Sequence, residues 1–123
     1  MQQTTFNEQF RDRTKRMAID TLQMYNNLKK SDTISVVGKQ LIRSATSVAA
    51  NFRATCRARS ETEKYAKLCI VVEEADETIF WLEVLEESKI VSVDIKNLYA
   101  EAMEILKVMS SYKKTLGQAL RKQ

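Results

Sequence analysis

The sequence predicts an all-α fold, an antiparallel up-down-up-down four-helix bundle formed as a single domain by residues 1–123. The chain has no proline and only two glycines, whereas an all-β fold needs many tight turns rich in such residues. Apolar residues recur every three or four positions through four stretches, which is the spacing of one helical face. Short polar breaks separate the stretches, and helices of similar length joined by short connections favour antiparallel neighbours.

The first two helices are predicted over residues 7–30 and 34–58. In the first, Phe10, Met17 and Met24 recur at steps of seven. The segment 31–33 then offers serine, aspartate and threonine side chains that can cap the second helix. The second helix has an unbroken apolar stripe: Ile34, Val37, Leu41, Ala45, Val48, Phe52 and Cys56.

The third and fourth helices are predicted over residues 61–88 and 93–120. Ser60 and Glu63 have the spacing of a capping box at the start of the third helix. Its inward residues are Tyr65, Leu68, Val72, Ala75, Ile79 and Leu82. Ser92 and Asp94 mark the start of the fourth helix, whose stripe is Ile95, Leu98, Ala102, Ile105, Met109, Tyr112, Leu116 and Leu120.

The composition argues against catalysis. The chain has no histidine, which removes Ser-His and Cys-His nucleophile pairs and the Glu-x-x-His motifs of di-iron bundles. Gly38 and Gly117 are too far apart to form a phosphate-binding loop. Cys56 and Cys69 have no metal-site spacing and are expected to be small hydrophobes on core faces. We therefore predict a protein that is not an enzyme and uses neither a metal nor a cofactor.

The sequence contains no stretch of roughly 20 apolar residues that would span a membrane. Residues 1–16 are polar and charged, without the apolar segment of a secretory signal. We therefore expect a cytoplasmic protein that does not contact membranes.

A basic stripe on the second helix is the first candidate site. Lys39, Arg43, Arg53 and Arg57 fall within an arc of about 80° on a helical wheel, opposite the apolar stripe. Such a stripe can neutralise the phosphates of RNA or DNA in a largely sequence-independent way. The alternatives are a solvated surface and a salt-bridged protein interface.

The third helix carries a second apolar face beside acidic residues. Ile70, Trp81 and Val84 lie off its inward stripe, with Glu74 and Glu77 among them. Tryptophan is enriched at protein interfaces, so this face predicts a subunit contact; the alternative is packing along the flank of its own bundle. Because the face would complement the basic second helix, head-to-tail contacts between copies would close into a ring.

Four polar residues are assigned structural roles. Asp76 and Glu83 are placed near the centre of the inward face of the third helix, where an unpaired carboxylate is costly. Counting back from the turn at Ser60 sets Asp76 level with Ser44, so a hydrogen bond is expected; a functional pocket is the alternative. Asn51 lies between the apolar and basic faces of the second helix and is expected to cap a partner's backbone or join the second helix to the third.

Two sequence runs resemble a known family. The segment 40–51, QLIRSATSVAAN, is similar to the signature of the small bacterial four helix bundle proteins, also called 23S rRNA intervening-sequence proteins. The segments 73–77 and 81–83 resemble one branch of that family. Many members have Ile-Ala-Glu-Gly after the asparagine, where this chain has Phe52-Arg53-Ala54-Thr55, so the role of that glutamate does not carry over.

The resemblance implies an antiparallel four-helix bundle that assembles as a homopentameric ring. It also implies kinship with the accessory proteins of diversity-generating retroelements, which bind a reverse transcriptase and nucleic acid. The expected function is thus that of an oligomeric accessory protein whose partners are itself, RNA or DNA, and a reverse transcriptase or other protein. The alternative is a structural or protein-binding oligomer whose basic face is used in subunit contacts.

Overall fold

The chain forms the predicted all-α four-helix bundle. The structure, a computed structural model, describes residues 3–123, so Met1 and Gln2 of the predicted domain lie outside the described residues. Its helices are α1 (Gln3–Asn26), α2 (Asp32–Cys56), α3 (Glu61–Glu87) and α4 (Lys96–Arg121). Helices adjacent in sequence pack side by side, and the α2–α3 pair shares the most extensive contact. No helix within residues 3–123 is long and apolar enough to cross a membrane.

Side-chain caps set the starts of α2 and α3. Ser31 Oγ accepts a hydrogen bond from the Ile34 amide (3.2 Å), and Ser60 Oγ accepts one from the Glu63 amide (3.0 Å). These bonds satisfy amides that have no partner within a helix. The α4 helix begins at Lys96, later than predicted: its N-cap residue, Ile95, has no capping side chain, and the Lys96 amide donates to Asp94 Oδ1 (3.0 Å).

The bounds of α1 differ most from the prediction. This helix already includes Gln3 and ends at Asn26 rather than residue 30. Beyond its end, Lys30 Nζ donates to the carbonyls of Asn26 (3.2 Å) and Leu28 (2.7 Å). The lysine thereby satisfies carbonyls at a helix C-terminus, where a positive charge is also favoured.

The core is a continuous apolar column contributed by all four helices. Its largest fully buried side chains include Met17, Phe52, Leu68, Leu82 and Met109. The predicted inward residues Val37, Cys56, Tyr65 and Val72 lie at its half-buried margin. The buried hydroxyls of Thr14, Thr21 and Thr55 bond within their own helices, and no buried polar side-chain atom in the described part of the chain lacks a partner.

Both glycines lie inside helices, each against a tyrosine of the neighbouring helix. A Cβ added at Gly38 would lie 2.0 Å from Cε1 of Tyr25, and one added at Gly117 would lie 2.9 Å from Cε1 of Tyr65. Glycine normally weakens a helix interior. Its use at these two points is explained by the close approach of an aromatic ring to the helix backbone, once between α1 and α2 and once between α3 and α4.

Candidate binding surfaces on the helix faces

The predicted basic stripe divides into two environments. All four of its residues are exposed, three within α2 and the last at its C-cap: Lys39, Arg43, Arg53 and Arg57. Arg43 forms ion pairs with α3, whereas Arg53 and Arg57 line a groove on the other flank of α2, against α1. The stripe is therefore not one continuous surface available to a ligand.

Arg43 is bound by two carboxylates of its own chain. Its guanidinium donates to Glu74 (2.8 Å) and Glu77 (2.6 Å), which lie one helical turn apart on α3. The hydrogen bond from Arg43, together with one from Trp81, lowers the pKa of Glu77. Two residues predicted for the subunit interface, Glu74 and Glu77, are thus engaged within the bundle, and so is one residue predicted for nucleic acid.

A groove of about 740 Å³ runs between α1 and α2. Small and aliphatic side chains form its floor: Ala18, Ile19, Leu22, Ala49 and Ala50. Four basic residues also line it, Arg11 and Lys15 from α1, Arg53 from α2 and Arg57 from the C-cap of α2; among the described residues, Asp12 is the one acidic residue that lines it. Leu22 is 44% exposed, so the floor offers apolar surface to a partner.

The basic side chains of this groove have no ionic partner in the described chain. Within residues 3–123, no carboxylate oxygen lies within 4.0 Å of a charged nitrogen of Arg11, Lys15, Arg53 or Arg57. An apolar floor between unpaired cations is suited to an amphipathic ligand that carries negative charge.

The outer face of α3 is complementary to this groove, because it combines exposed apolar side chains with a carboxylate. Ile70 is 38% exposed and Phe80 is 52% exposed, and the exposed carboxylate of Glu73 lies between them in sequence. Phe80 packs edge-on against Trp81, with ring centroids 5.0 Å apart. Phe80 is not among the residues predicted from the sequence, although its place among the acidic residues of α3 is a usable signal.

Trp81 and Val84 are half-buried. The Trp81 ring packs against the core of its own bundle, and its Nε1 donates to Glu77 Oε1 (3.3 Å). Among the apolar residues predicted for the interface, Ile70 therefore offers more free surface than the tryptophan does.

The placement of Asp76 on the inward face is wrong. Asp76 is exposed, and the residue level with Ser44 is the buried Thr78. Thr78 Oγ1 donates to Ser44 Oγ (3.0 Å), which in turn donates to the Leu41 carbonyl (3.0 Å). The expected hydrogen bond from Ser44 to α3 exists, but the partner is two residues further along.

Glu83 and Asn51 also have structural partners. Glu83 is half-buried and accepts from the Tyr99 hydroxyl (2.7 Å), which joins α3 to α4 and raises the pKa of Tyr99. Asn51 does not reach another helix: its Nδ2 donates to the carbonyl and hydroxyl of Ser47 (2.9 and 3.0 Å) on α2 itself. The expectation that Asn51 joins α2 to α3 is therefore wrong.

No metal centre is recognisable in the described chain. Within residues 3–123, no group of three or more cysteine, aspartate and glutamate side chains is placed to hold a metal ion. Cys56 and Cys69 are free and half-buried, and burial raises the pKa of the Cys56 thiol, which keeps it protonated and unreactive. The features suited to binding another molecule are the α1–α2 groove and the outer face of α3.

Comparisons with known proteins agree with this architecture. The family model of the 23S rRNA-intervening sequence proteins matches residues 7–111. The chain is also similar to a Bacteroides thetaiotaomicron crystal structure described as a protein of unknown function from the S23 ribosomal protein family. The two share 29% identity and a TM-score of 0.79 over 88% of this chain and 97% of the other. No curated protein matches the chain.

Proposed function

The chain belongs to the 23S rRNA-intervening sequence protein family, and we propose that it is a non-enzymatic accessory protein that assembles with copies of itself. In the joint between two copies, the α1–α2 groove of one receives the outer face of α3 of the next. The observation that carries this proposal is the groove itself, an apolar floor bordered by four cations without ionic partners.

Charge and length match across the proposed joint. The groove extends along α2 from Thr46 to Arg57, about 16 Å at 1.5 Å per residue. On α3, the distance from Ile70 to Phe80 is about 15 Å by the same measure. Ile70 and Phe80 would pack on the floor, while Glu73 would lie near Arg53 and Arg57. Such complementarity fixes the register of two partners and selects against wrong ones.

The two faces are different surfaces of one chain, so the contact is heterologous. Heterologous contacts close into rings when the rotation between subunits allows it and otherwise propagate as filaments. A homopentameric ring, the form implied by the family resemblance, is the closed assembly that we propose. Burying the exposed half of Phe80 would stabilise each joint by about 1 kcal/mol, and the floor residues would add to it.

The basic face of α2 is a weaker candidate for direct contact with RNA or DNA. Arg43 is already held by Glu74 and Glu77, and the sides of the remaining basic groove enclose an apolar floor. Phosphate contacts require cations but no apolar surface. The acidic amphipathic helix of another protein would fit the same groove, and light scattering distinguishes this case because such a chain remains a monomer by itself.

Light scattering on the purified protein tests self-assembly. Wild type should be oligomeric at tens of micromolar, and Phe80→Asp should shift it towards monomers, because the substitution places a charge on the proposed floor contact. Met103→Asp is the matched control, since Met103 is 44% exposed on α4, which takes no part in the joint. Monomeric wild type, or equal behaviour of the two variants, would rule out the proposed contact.

A further inference from the structure

The bundle is electrically polar along its axis. The end that holds the α2–α3 turn consists of residues 3–16, 46–73 and 107–123, which together contain 14 of the 20 basic residues and 5 of the 16 acidic ones. This end therefore has a net charge of +9, and the remainder of the chain has −5. The up-down topology gathers cations from sequence segments that are far apart.

The C-terminal two-thirds of α4, with the two residues that follow it, is the most one-sided part of the chain in charge. Residues 105–123 contain five basic residues and no acidic one. Lys113, Lys114 and Arg121 line a groove of about 270 Å³ between α3 and α4, and no carboxylate lines it. Within residues 3–123 none of these three cations forms an ion pair.

The arrangement of this groove follows from Gly117. Lys113, Gly117 and Arg121 recur at steps of four, so they lie in one line along α4, and the two cations start about 12 Å apart. The missing side chain between them leaves a notch of backbone beside the Tyr65 ring. A span of about 12 Å along the axis of a duplex covers three or four phosphates of one strand.

Compensation of the helix dipole does not account for the cluster. Cations near a helix C-terminus are favoured, but the effect falls off within the last turn. That effect covers Arg121, whereas Lys113 and Lys114 lie two turns earlier. The groove is also much smaller than the α1–α2 groove and lacks its aliphatic floor, so it does not suit an apolar helix.

We propose that the α3–α4 groove at the basic end binds the phosphodiester backbone of nucleic acid, largely without regard to sequence. It lies on the face of the bundle opposite the α1–α2 groove and uses none of the residues of the subunit joint. This site goes beyond the proposed self-assembly and does not depend on it, although a ring would present several copies of the groove to one nucleic acid.

Fluorescence anisotropy with a short labelled duplex, made once as DNA and once as RNA of the same sequence, tests the site. Wild type should bind both with comparable affinity and weaken steeply between about 50 and about 200 mM salt. The double variant Lys113→Gln, Lys114→Gln should lose about tenfold in affinity and flatten the slope of log K against log salt by about 2.

The double variant Lys89→Gln, Lys96→Gln is the control, because it removes the same charge from exposed positions at the acidic end. It should change affinity by less than about twofold, since those lysines contact no phosphate. Equal losses in the two double variants would show that net charge alone is responsible and would overturn the site. So would a larger loss in Arg53→Gln, Arg57→Gln, absence of binding at low salt, or strong preference for one sugar.

Light scattering of the Lys113→Gln, Lys114→Gln variant keeps this test separate from the proposed self-assembly. Its oligomeric state should equal that of wild type, because neither lysine lies in the proposed joint. Loss of nucleic-acid binding together with loss of assembly would contradict an independent site.

Discussion

The two flanks of α2 differ in how far the chain satisfies its own polar groups. On the flank towards α3, Arg43 is held by Glu74 and Glu77, and Ser44 is bonded to Thr78. On the flank towards α1, Arg53 and Arg57 lie beside an open groove with no carboxylate of the described chain within ion-pair distance. The arginines of one basic stripe therefore differ: Arg43 is already paired within the bundle, whereas Arg53 and Arg57 are free to pair with another molecule.

This difference shows that a charged stripe becomes a binding surface only where the neighbouring helix leaves it unpaired. The α3 flank is an internal joint of the bundle, and its charges contribute to stability. The α1 flank offers charge and apolar area to a second molecule. Substitutions on the α3 flank should therefore change the free energy of unfolding. Substitutions in the α1–α2 groove should change assembly and leave the free energy of unfolding almost unaltered.

The close contact between Gly38 of α2 and Tyr25 of α1 should give the largest effect on stability. In Gly38→Ala the new methyl would meet three atoms of the Tyr25 ring between 2.0 and 2.6 Å, so the ring must move. Overpacking of this kind costs typically about 1–3 kcal/mol, more than the gain in helix propensity of about 1 kcal/mol. Because three ring atoms are met, the cost should lie near the upper end of that range, so urea denaturation should show a net loss of up to about 2 kcal/mol.

Gly117→Ala is the matched control for that substitution. Its Cβ would come within 3.0 Å of one ring atom, at 2.9 Å, and the gain in helix propensity offsets a small shift of Tyr65. We expect a change within about 1 kcal/mol. Equal destabilisation of the two variants would contradict the expectation that the Gly38–Tyr25 contact is tighter than the Gly117–Tyr65 contact.

A smaller loss is expected from the hydroxyl pair on the α3 flank. Thr78→Val keeps the shape of the side chain but removes its hydrogen bond to Ser44, which should cost about 1 kcal/mol. A double-mutant cycle with Ser44→Ala, followed by thermal denaturation, isolates the pair. A coupling energy indistinguishable from zero would show that the two hydroxyls contribute independently.

The ion pairs of Arg43 should contribute less, because the arginine side chain is 50% exposed. Arg43→Gln should lower stability at neutral pH by at most about 1 kcal/mol. Since the pKa of Glu77 is lowered in the folded state, its contribution is present above the ordinary carboxyl pKa and is lost as the pH falls through the folded value. The difference between wild type and variant should therefore shrink in acid; a difference that grows there would contradict the pairing.

The smallest effect on stability is expected on the unpaired flank. Arg53→Gln removes a cation that has no ionic partner in the described chain, so the free energy of unfolding of the monomer should change by less than about 0.5 kcal/mol. Assembly should weaken measurably in sedimentation experiments. A large loss of stability in Arg53→Gln would mean that the two flanks do not differ as proposed.

Periodicity predicted the fold because burial dominates helix packing, and the positions of Leu41, Val48 and Leu82 in the core follow directly from it. A helical wheel gives the angle of a residue on its own helix but not the residue opposite. It therefore grouped Arg43 with Arg53, although one leans towards α3 and the other towards α1.

The register between helices was a second source of error. Counting back from the turn paired Ser44 with Asp76 instead of Thr78. The register between two helices depends on the tilt and length of the turn, which a count of residues does not give. Residue type also misled the prediction. Trp81 was selected for the interface because tryptophan is enriched there, and the neighbouring, more exposed Phe80 was not. The axial charge separation could not be seen until the topology set three distant segments at one end.

Mixing two differently disabled chains tests the proposed head-to-tail contact most directly. The double variant Leu22→Asp, Arg53→Glu would lack a usable groove but keep its α3 face, and Phe80→Asp would lack the α3 face but keep its groove. Each alone should be monomeric by light scattering, while an equimolar mixture should form a heterodimer through the one intact joint. A mixture that stays monomeric, beside a wild type that assembles, would contradict the docking of α3 into the α1–α2 groove.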